Sequence, residues 1–348
     1  MLPTDAIVRI IGRTETIENT IWLVLSGTGV EFCVTGTNAS ITMKSDSSYN
    51  GEEVNRARVA VYIDSKKVRD VIIEKEETII PVFESEIEET HVVRVIKLSE
   101  APMSTCGITE INVTGRVWPT QQKEKFIEFI GDSITCAYGV DDENRDHHFS
   151  TGTEDVTKGY AYKTVENLDV DYSMVSFSGY GIVSGYTESG EKFDTQLVPT
   201  YYEKLGFSNS TYMGKYLPQN IEWDFTKRQP DLIVINLGTN DSSYVLGIED
   251  RREEYICGYV DFLKTVRRCN PQSTILCALG IMGTDLCPAV EEAVWRYQKE
   301  TGDTNIFSMR FDEQLESDGY VADWHPTETT HNKASLRLTT EIKKVMHW

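Results

Sequence analysis

The chain has 348 residues and carries 34 lysines and arginines against 55 aspartates and glutamates, a formal net charge of −21. That field repels phosphate and so argues against nucleic acid or an anionic membrane surface as a partner. A hydrophobic content of 40% with 26% charged residues is ordinary for a soluble globular protein, and the length suits two domains.

The amino terminus, Met1-Leu2-Pro3-Thr4-Asp5-Ala6, has no basic region followed by an apolar core, so it does not read as a leader. No apolar run approaches the ~20 residues that a membrane span needs. The cysteines (Cys33, Cys106, Cys136, Cys257, Cys269, Cys277 and Cys287) are odd in number and scattered, with no Cys-x-x-Cys pair. Neither a zinc site nor a disulfide framework is expected. A cytoplasmic location fits these features, although a secreted chain trimmed of its leader would read the same way.

Residues 1–118 predict an all-β domain. Thr20-Ile21-Trp22-Leu23-Val24-Leu25, Gly29-Val30-Glu31-Phe32-Cys33-Val34 and Val59-Ala60-Val61-Tyr62-Ile63-Asp64 are short runs rich in β-branched and aromatic residues. Clusters of Gly, Asn, Asp and Ser separate them, the punctuation of a sandwich or jelly roll. The polar stretch 119–125 reads as a linker. From 126 to 348 the texture changes to strand alternating with helix. Apolar runs at 126–130, 172–177, 231–237, 274–282 and 304–311 alternate with helix-like stretches near 158–168, 250–268 and 286–301. A last helix is expected at about 328–346. Such alternation predicts a parallel sheet with helices on both faces, and a ligand site at the carboxyl ends of its strands.

Four strand ends carry chemistry. The run Phe126-Ile127-Glu128-Phe129-Ile130 breaks at Gly131-Asp132-Ser133, which sets Ser133 at a strand-to-helix junction as a helix cap or a nucleophile. Leu232-Ile233-Val234-Ile235-Asn236-Leu237 ends in Gly238-Thr239-Asn240-Asp241, where the Asn240 amide can donate to an oxyanion. Losing one such donor costs about 3–4 kcal/mol of transition-state stabilisation. Tyr172-Ser173-Met174-Val175-Ser176-Phe177 ends in Ser178-Gly179-Tyr180-Gly181, and Gly179, or Gly181 beside it, lets a backbone N–H approach a reacting carbonyl closely. Ala322-Asp323-Trp324-His325-Pro326 precedes the last helix. Of the six histidines, His325 alone sits beside both a carboxylate and a helix start. A nucleophilic serine needs a base, and an imidazole with a pKa of about 6.5 suits that task near neutrality.

In that order these residues resemble the four blocks of the SGNH (GDSL-type) hydrolases. A β-sandwich ahead of the hydrolase domain, the segment Thr153-Glu154-Asp155-Val156-Thr157-Lys158-Gly159-Tyr160-Ala161-Tyr162 and the closing Asp-Trp-His-Pro are similar to carbohydrate esterase family two. The resemblance spans nearly the whole chain. It implies a flavodoxin-like three-layer α/β domain behind a jelly roll, and an esterase that removes acetyl groups from xylan- or mannan-type polysaccharides or their oligosaccharides. It further implies Ser133 as nucleophile and His325 as general base, with the Ser133 and Gly179 N–H groups and the Asn240 amide holding the oxyanion. Trp324 would face the cleft as a sugar platform, and Tyr180 is a second candidate for substrate binding. The usual last block is Asp-x-x-His, but here that position is Ala322 and Asp323 stands two residues before His325. Either Asp323 orients the imidazole, or a backbone carbonyl does so and a Ser-His dyad operates.

The expected reaction is two-step acyl transfer without metal or organic cofactor, its rate rising as His325 loses its proton, near a pKa of about 6.5 before local shifts. Acetylated carbohydrate is the expected partner; the oligomeric state stays open. The rivals are a lipase or thioesterase acting on longer acyl esters, a metallophosphoesterase, and a carbohydrate-binding protein whose hydrolytic site has lapsed.

Overall fold

In the computed structural model, which describes residues 1–4 and 6–348, the β-branched runs of the first third pair into one eight-stranded antiparallel sheet. Its strands are β1 (Arg9–Ile11), β2 (Thr14–Ile17), β3 (Thr20–Leu23), β4 (Gly29–Ser45), β5 (Arg58–Ile63), β6 (Lys66–Ile72), β7 (Glu77–Lys97) and β8 (Cys106–Pro119). The order is β2-β3-β8-β4-β7-β5-β6, with β1 paired to β4. Three strands are longer than the short runs suggest: β4 has 17 residues, β7 has 21 and β8 has 14. Register shifts in β4 at Gly36/Asn38 and Ala39/Ser40 are bulges, which bend a long strand and strengthen its twist. Such a sheet can enclose its own core, here built of Leu23, Phe32, Ile41, Val59, Val95 and Ile108 among others.

After the polar stretch come β9 (Phe126–Gly131), α1 (Ser133–Cys136), α2 (Tyr160–Leu168), β10 (Asp171–Ser176), α3 (Val198–Tyr201), β11 (Leu232–Asn236), α4 (Thr239–Val245) and α5 (Glu249–Cys269). Then follow β12 (Thr274–Leu279), α6 (Cys287–Thr301), β13 (Ile306–Arg310), the small hairpin of β14 (Tyr320–Val321) and β15 (His325–Pro326), and α7 (Glu328–Met346). Strands β9 to β13 form a wholly parallel sheet in the order β10-β9-β11-β12-β13. β9 to β12 are buried at every position, as strands covered on both faces must be. Helix α2 packs on α7, and α5 on α6. This is the expected flavodoxin-like α/β sheet. Its order reverses at β9, the switch point where such sheets bind ligands.

The chain divides into two compact units, but not at a single cut. The first is Met1–Lys123 together with Phe149–Glu154 and Lys204–Trp223; the second is Glu124–His148, Asp155–Glu203 and Asp224–Trp348. Two pieces of the second half therefore fold into the β unit. Tyr212 stacks on Trp22 at 4.4 Å between ring centroids, and both are fully buried. Arg13 donates to the Lys204 carbonyl at 3.2 Å, and the Thr151 hydroxyl donates to the Val54 carbonyl at 2.9 Å.

Candidate active site

The site begins at a glycine that cannot be replaced cheaply. A Cβ at Gly131 would stand 2.0 Å from Thr135 Oγ1, so the end of β9 and the start of α1 approach closely only because that side chain is missing. Asp132 caps α1, its Oδ1 accepting the Ile134 N–H at 3.0 Å. The Thr135 and Cys136 N–H groups both go to the Asp132 carbonyl. Among the described residues nothing accepts the Ser133 N–H, which the first turn of a helix leaves unsatisfied. The capping and the catalytic readings of this stretch thus fall on adjacent residues, Asp132 as the cap and Ser133 with its hydroxyl and N–H uncommitted to the helix.

Ser133 Oγ lies 2.8 Å from His325 Nε2. On the far side of the ring, His325 Nδ1 lies 3.1 Å from the Ala322 carbonyl and 3.2 Å from the Asp323 carbonyl. Two carbonyls accept only from an N–H, so the proton sits on Nδ1 and Nε2 is left as the acceptor for the serine hydroxyl. These carbonyls are aimed by a turn between β14 and β15 in which Asp323 (φ 49°) and Trp324 (φ 62°) both adopt the left-handed conformation. For residues other than glycine that is strained, by about 1–3 kcal/mol each. Burial holds the His325 pKa down to about 4, against the raising effect of the Ala322 carbonyl.

Asp323 departs from the role of orienting acid. Its carboxylate does not reach His325; Oδ2 accepts from the Tyr138 hydroxyl at 2.5 Å, and Oδ1 lies 2.8 Å from His148 Nδ1. Only its backbone carbonyl meets the imidazole. The physical reason is the left-handed turn, which points the carbonyl inward and the side chain toward the loop after α1. Tyr138 also stacks on the His325 ring, at 4.1 Å between centroids and 23° between planes. The residues 138 and 148 carry no periodic or motif signal that could have singled them out. Their partner lies far along the chain, and α1 ends just before Tyr138 through Ala137 in the left-handed conformation, a choice its sequence does not advertise.

The other rim residues come from two turns. Gly179 (φ 81°) follows β10, and no acceptor takes its N–H among the described residues. Gly181 is needed for space: a Cβ there would lie 2.0 Å from the Ser184 carbonyl and 2.6 Å from Asp241 Oδ2. Its N–H is engaged with the Gln196 carbonyl, so Gly179 is the one with a free donor. Asn240, in the first turn of α4, gives one amide hydrogen to the Tyr180 carbonyl at 2.8 Å; its other contact, to Asp132 Oδ2, is long at 3.5 Å. Asp241 Oδ1 accepts the N–H groups of Ile182, Val183 and Ser184, which ties the β10 turn to the β11 turn. Burial pushes the Asp132 pKa up to about 7 and that of Asp241 up to about 6.

Two expected substrate contacts fall differently. The Tyr180 side chain is buried against Phe177 and Tyr201, so it is an aromatic core residue that contributes its carbonyl to Asn240. Trp324 is 48% exposed, with the Arg145 guanidinium 4.1 Å above its ring and Tyr320 leaning on it at 5.3 Å.

Comparison with known proteins bears on the family and the fold. Residues 10–120 match the family described as "Carbohydrate esterase 2 N-terminal", and residues 129–333 match the "GDSL-like Lipase/Acylhydrolase family". The chain is 30% identical over 93% of its length to the cellulase/esterase CelE of Acetivibrio thermocellus, spanning 37% of that longer protein. It is 25% identical over 99% of its length to an acetylxylan esterase / glucomannan deacetylase of Cellvibrio japonicus, spanning 90% of that relative. Among solved structures, a family two carbohydrate esterase from Clostridium thermocellum in complex with cellohexaose superposes with a TM-score of 0.85 at 29% identity. That match covers 98% of this chain and 99% of the other.

Proposed function

This chain belongs to carbohydrate esterase family two, within the GDSL-type (SGNH) hydrolases, and from that premise we propose that it removes O-acetyl groups from plant polysaccharides or oligosaccharides of the xylan or mannan type. The observation that carries the chemistry is the 2.8 Å approach of His325 Nε2 to Ser133 Oγ, beside N–H donors of Ser133 and Gly179 that no acceptor among the described residues occupies. The class of substrate rests on the relatives, one of which is named an acetylxylan esterase / glucomannan deacetylase while a solved structure holds cellohexaose.

The reaction follows from the donor and acceptor roles. His325, protonated at Nδ1, takes the Ser133 hydroxyl proton at Nε2 as Oγ attacks the acetyl carbonyl. The carbonyl oxygen becomes an oxyanion, met by the N–H groups of Ser133 and Gly179 and the amide of Asn240. The imidazolium returns its proton to the departing sugar oxygen, leaving acetyl on Ser133. Water, deprotonated by the same Nε2, attacks that ester; acetate leaves and the serine hydroxyl is restored. The imidazolium formed on the way is stabilised by two backbone carbonyls in place of a carboxylate.

The test is acetate release from acetylated xylan set beside acetylated mannan, together with a comparison of acetyl and octanoyl esters. Release from at least one polysaccharide and preference for acetyl is the expected result. Preference for the octanoyl ester, with no acetate from either polymer, would replace this reading by a lipase or thioesterase.

A further inference from the structure

Asp323 sits two residues before the histidine, next to the position where a triad acid would be sought, yet its carboxylate is spent elsewhere. Tyr138 Oη donates to Oδ2 while the same tyrosine ring lies flat against the His325 imidazole. His148 Nδ1 binds Oδ1 at 2.8 Å. The Asp323 N–H donates to the His147 carbonyl at 3.0 Å, and Arg145 stacks over Trp324. The loop that leaves α1 therefore grips the turn before His325 at four points, two of them on a single carboxylate. That turn is the one with two consecutive left-handed residues, and its carbonyls are the only acceptors of His325 Nδ1 among the described residues.

We propose that the Tyr138–Asp323–His148 cluster is a positioning clamp: Asp323 works by fixing the turn and the stacked tyrosine that hold His325, and not as a charge paired with the imidazole. Three features of the geometry support this. The carboxylate oxygens are both committed to partners other than His325. Tyr138 touches the imidazole face and the carboxylate at once, so it transmits the position of one to the other. The conformation that aims the Ala322 and Asp323 carbonyls is one that the chain adopts only under restraint, and the clamp supplies that restraint. What the clamp needs from residue 323 is hydrogen-bonding capacity toward Tyr138 and His148. What a triad needs is negative charge at Nδ1.

That difference makes the proposal testable with Asp323→Asn. An asparagine accepts from the Tyr138 hydroxyl and bonds His148, so the clamp survives. Expected for Asp323→Asn is a kcat on an activated acetyl ester within about 3-fold of wild type. A triad acid replaced by Asn loses roughly 10⁴-fold in a well-studied serine protease. Asp323→Ala is expected to lower kcat by about 10- to 100-fold with KM nearly unchanged, because the base is misaimed but the acyl site is intact. Tyr138→Phe keeps the stacked ring and removes only the tie, so it should lower kcat by a smaller factor and add nothing when combined with Asp323→Ala. A loss near 10⁴-fold in Asp323→Asn would overturn the clamp, and so would full additivity of Tyr138→Phe with Asp323→Ala. A merely structural role would lower thermal stability and leave the kcat of the folded fraction untouched, which also contradicts the proposal. Should Asp323→Ala fail to fold, Asp323→Asn and Tyr138→Phe decide alone. The inference rests on Ser133 and His325 acting as an esterase pair. Absence of any esterase activity in the wild type defeats that reading, whereas an active wild type with an inactive Asp323→Asn defeats only the clamp.

Discussion

His325 is a partly buried base, and its desolvation changes what should be measured. The neutral imidazole is the reactive form, so the rate falls as pH drops through its pKa and is level above it. With that pKa held down to about 4 by burial, kcat/KM on an activated acetyl ester is expected to stay level between pH 5 and 8 and to fall only below about pH 5. An acid limb centred near 6.5 would mean that the ring is far better solvated than the fold makes it. The ordinary imidazole value of about 6.5 holds before local shifts, and the shift follows from desolvation, a tertiary property that residue type alone cannot supply. Ser133, Gly179, Asn240 and His325 were legible for a different reason. Ser133, Gly179 and Asn240 stand where an apolar run breaks at a strand end, and a parallel sheet carries such ends to one edge; His325 lies in the β14–β15 hairpin and stood out by its neighbouring carboxylate and the helix that follows. Asp323, Tyr138 and Tyr180 were not legible in their observed roles, because a left-handed turn and a buried aromatic cluster decide where those side chains go.

At the scale of the elements, the turn after β10 depends on a carboxylate borrowed from α4. Asp241 accepts three consecutive N–H groups from Ile182, Val183 and Ser184 in a site with no water-facing surface of its own. Removing the acceptor strands those donors, at about 1–3 kcal/mol for each one left buried and unpaired. Asp241→Ala is therefore expected to lose at least about 3 kcal/mol in denaturant unfolding, and Asp241→Asn, which keeps one oxygen, clearly less. Equal losses in the two variants would show that the charge matters more than the acceptor. The elements themselves were mostly legible: the runs expected at 126–130, 172–177 and 231–237 coincide closely with β9, β10 and β11. The long β4, β7 and β8 were not, since the sequence shows turn-like residues at positions that the sheet absorbs as bulges.

Over the whole molecule, the feature that sequence reading could not supply is the return of 149–154 and 204–223 to the β unit. Nothing local marks Tyr212 as the partner of Trp22, or Glu154 as a buried residue beside Glu100. In that unit Glu154 Oε2 accepts the Glu100 N–H at 2.9 Å, while Lys97 donates to the Ser99 and Glu100 carbonyls. Burial, with Glu100 adding to it, raises the Glu154 pKa well above the usual 4.5. A group whose folded pKa is raised contributes stability that is present below its unfolded value and lost as pH climbs toward the folded one. Compared with Glu154→Gln, wild type is therefore expected to lose melting temperature as pH rises from 4.5 toward 8. Parallel melting curves across that range would mean that Glu154 keeps its ordinary acidity.

The central claim is that Ser133 is the nucleophile, and the direct measurement is kcat/KM of Ser133→Ala on an activated acetyl ester. The circular dichroism spectrum should be recorded alongside to establish that the fold survives. Wild-type turnover should drop by at least about 10³-fold, leaving only what the oxyanion donors achieve without a covalent intermediate. Near-normal turnover in a folded Ser133→Ala protein would contradict the account.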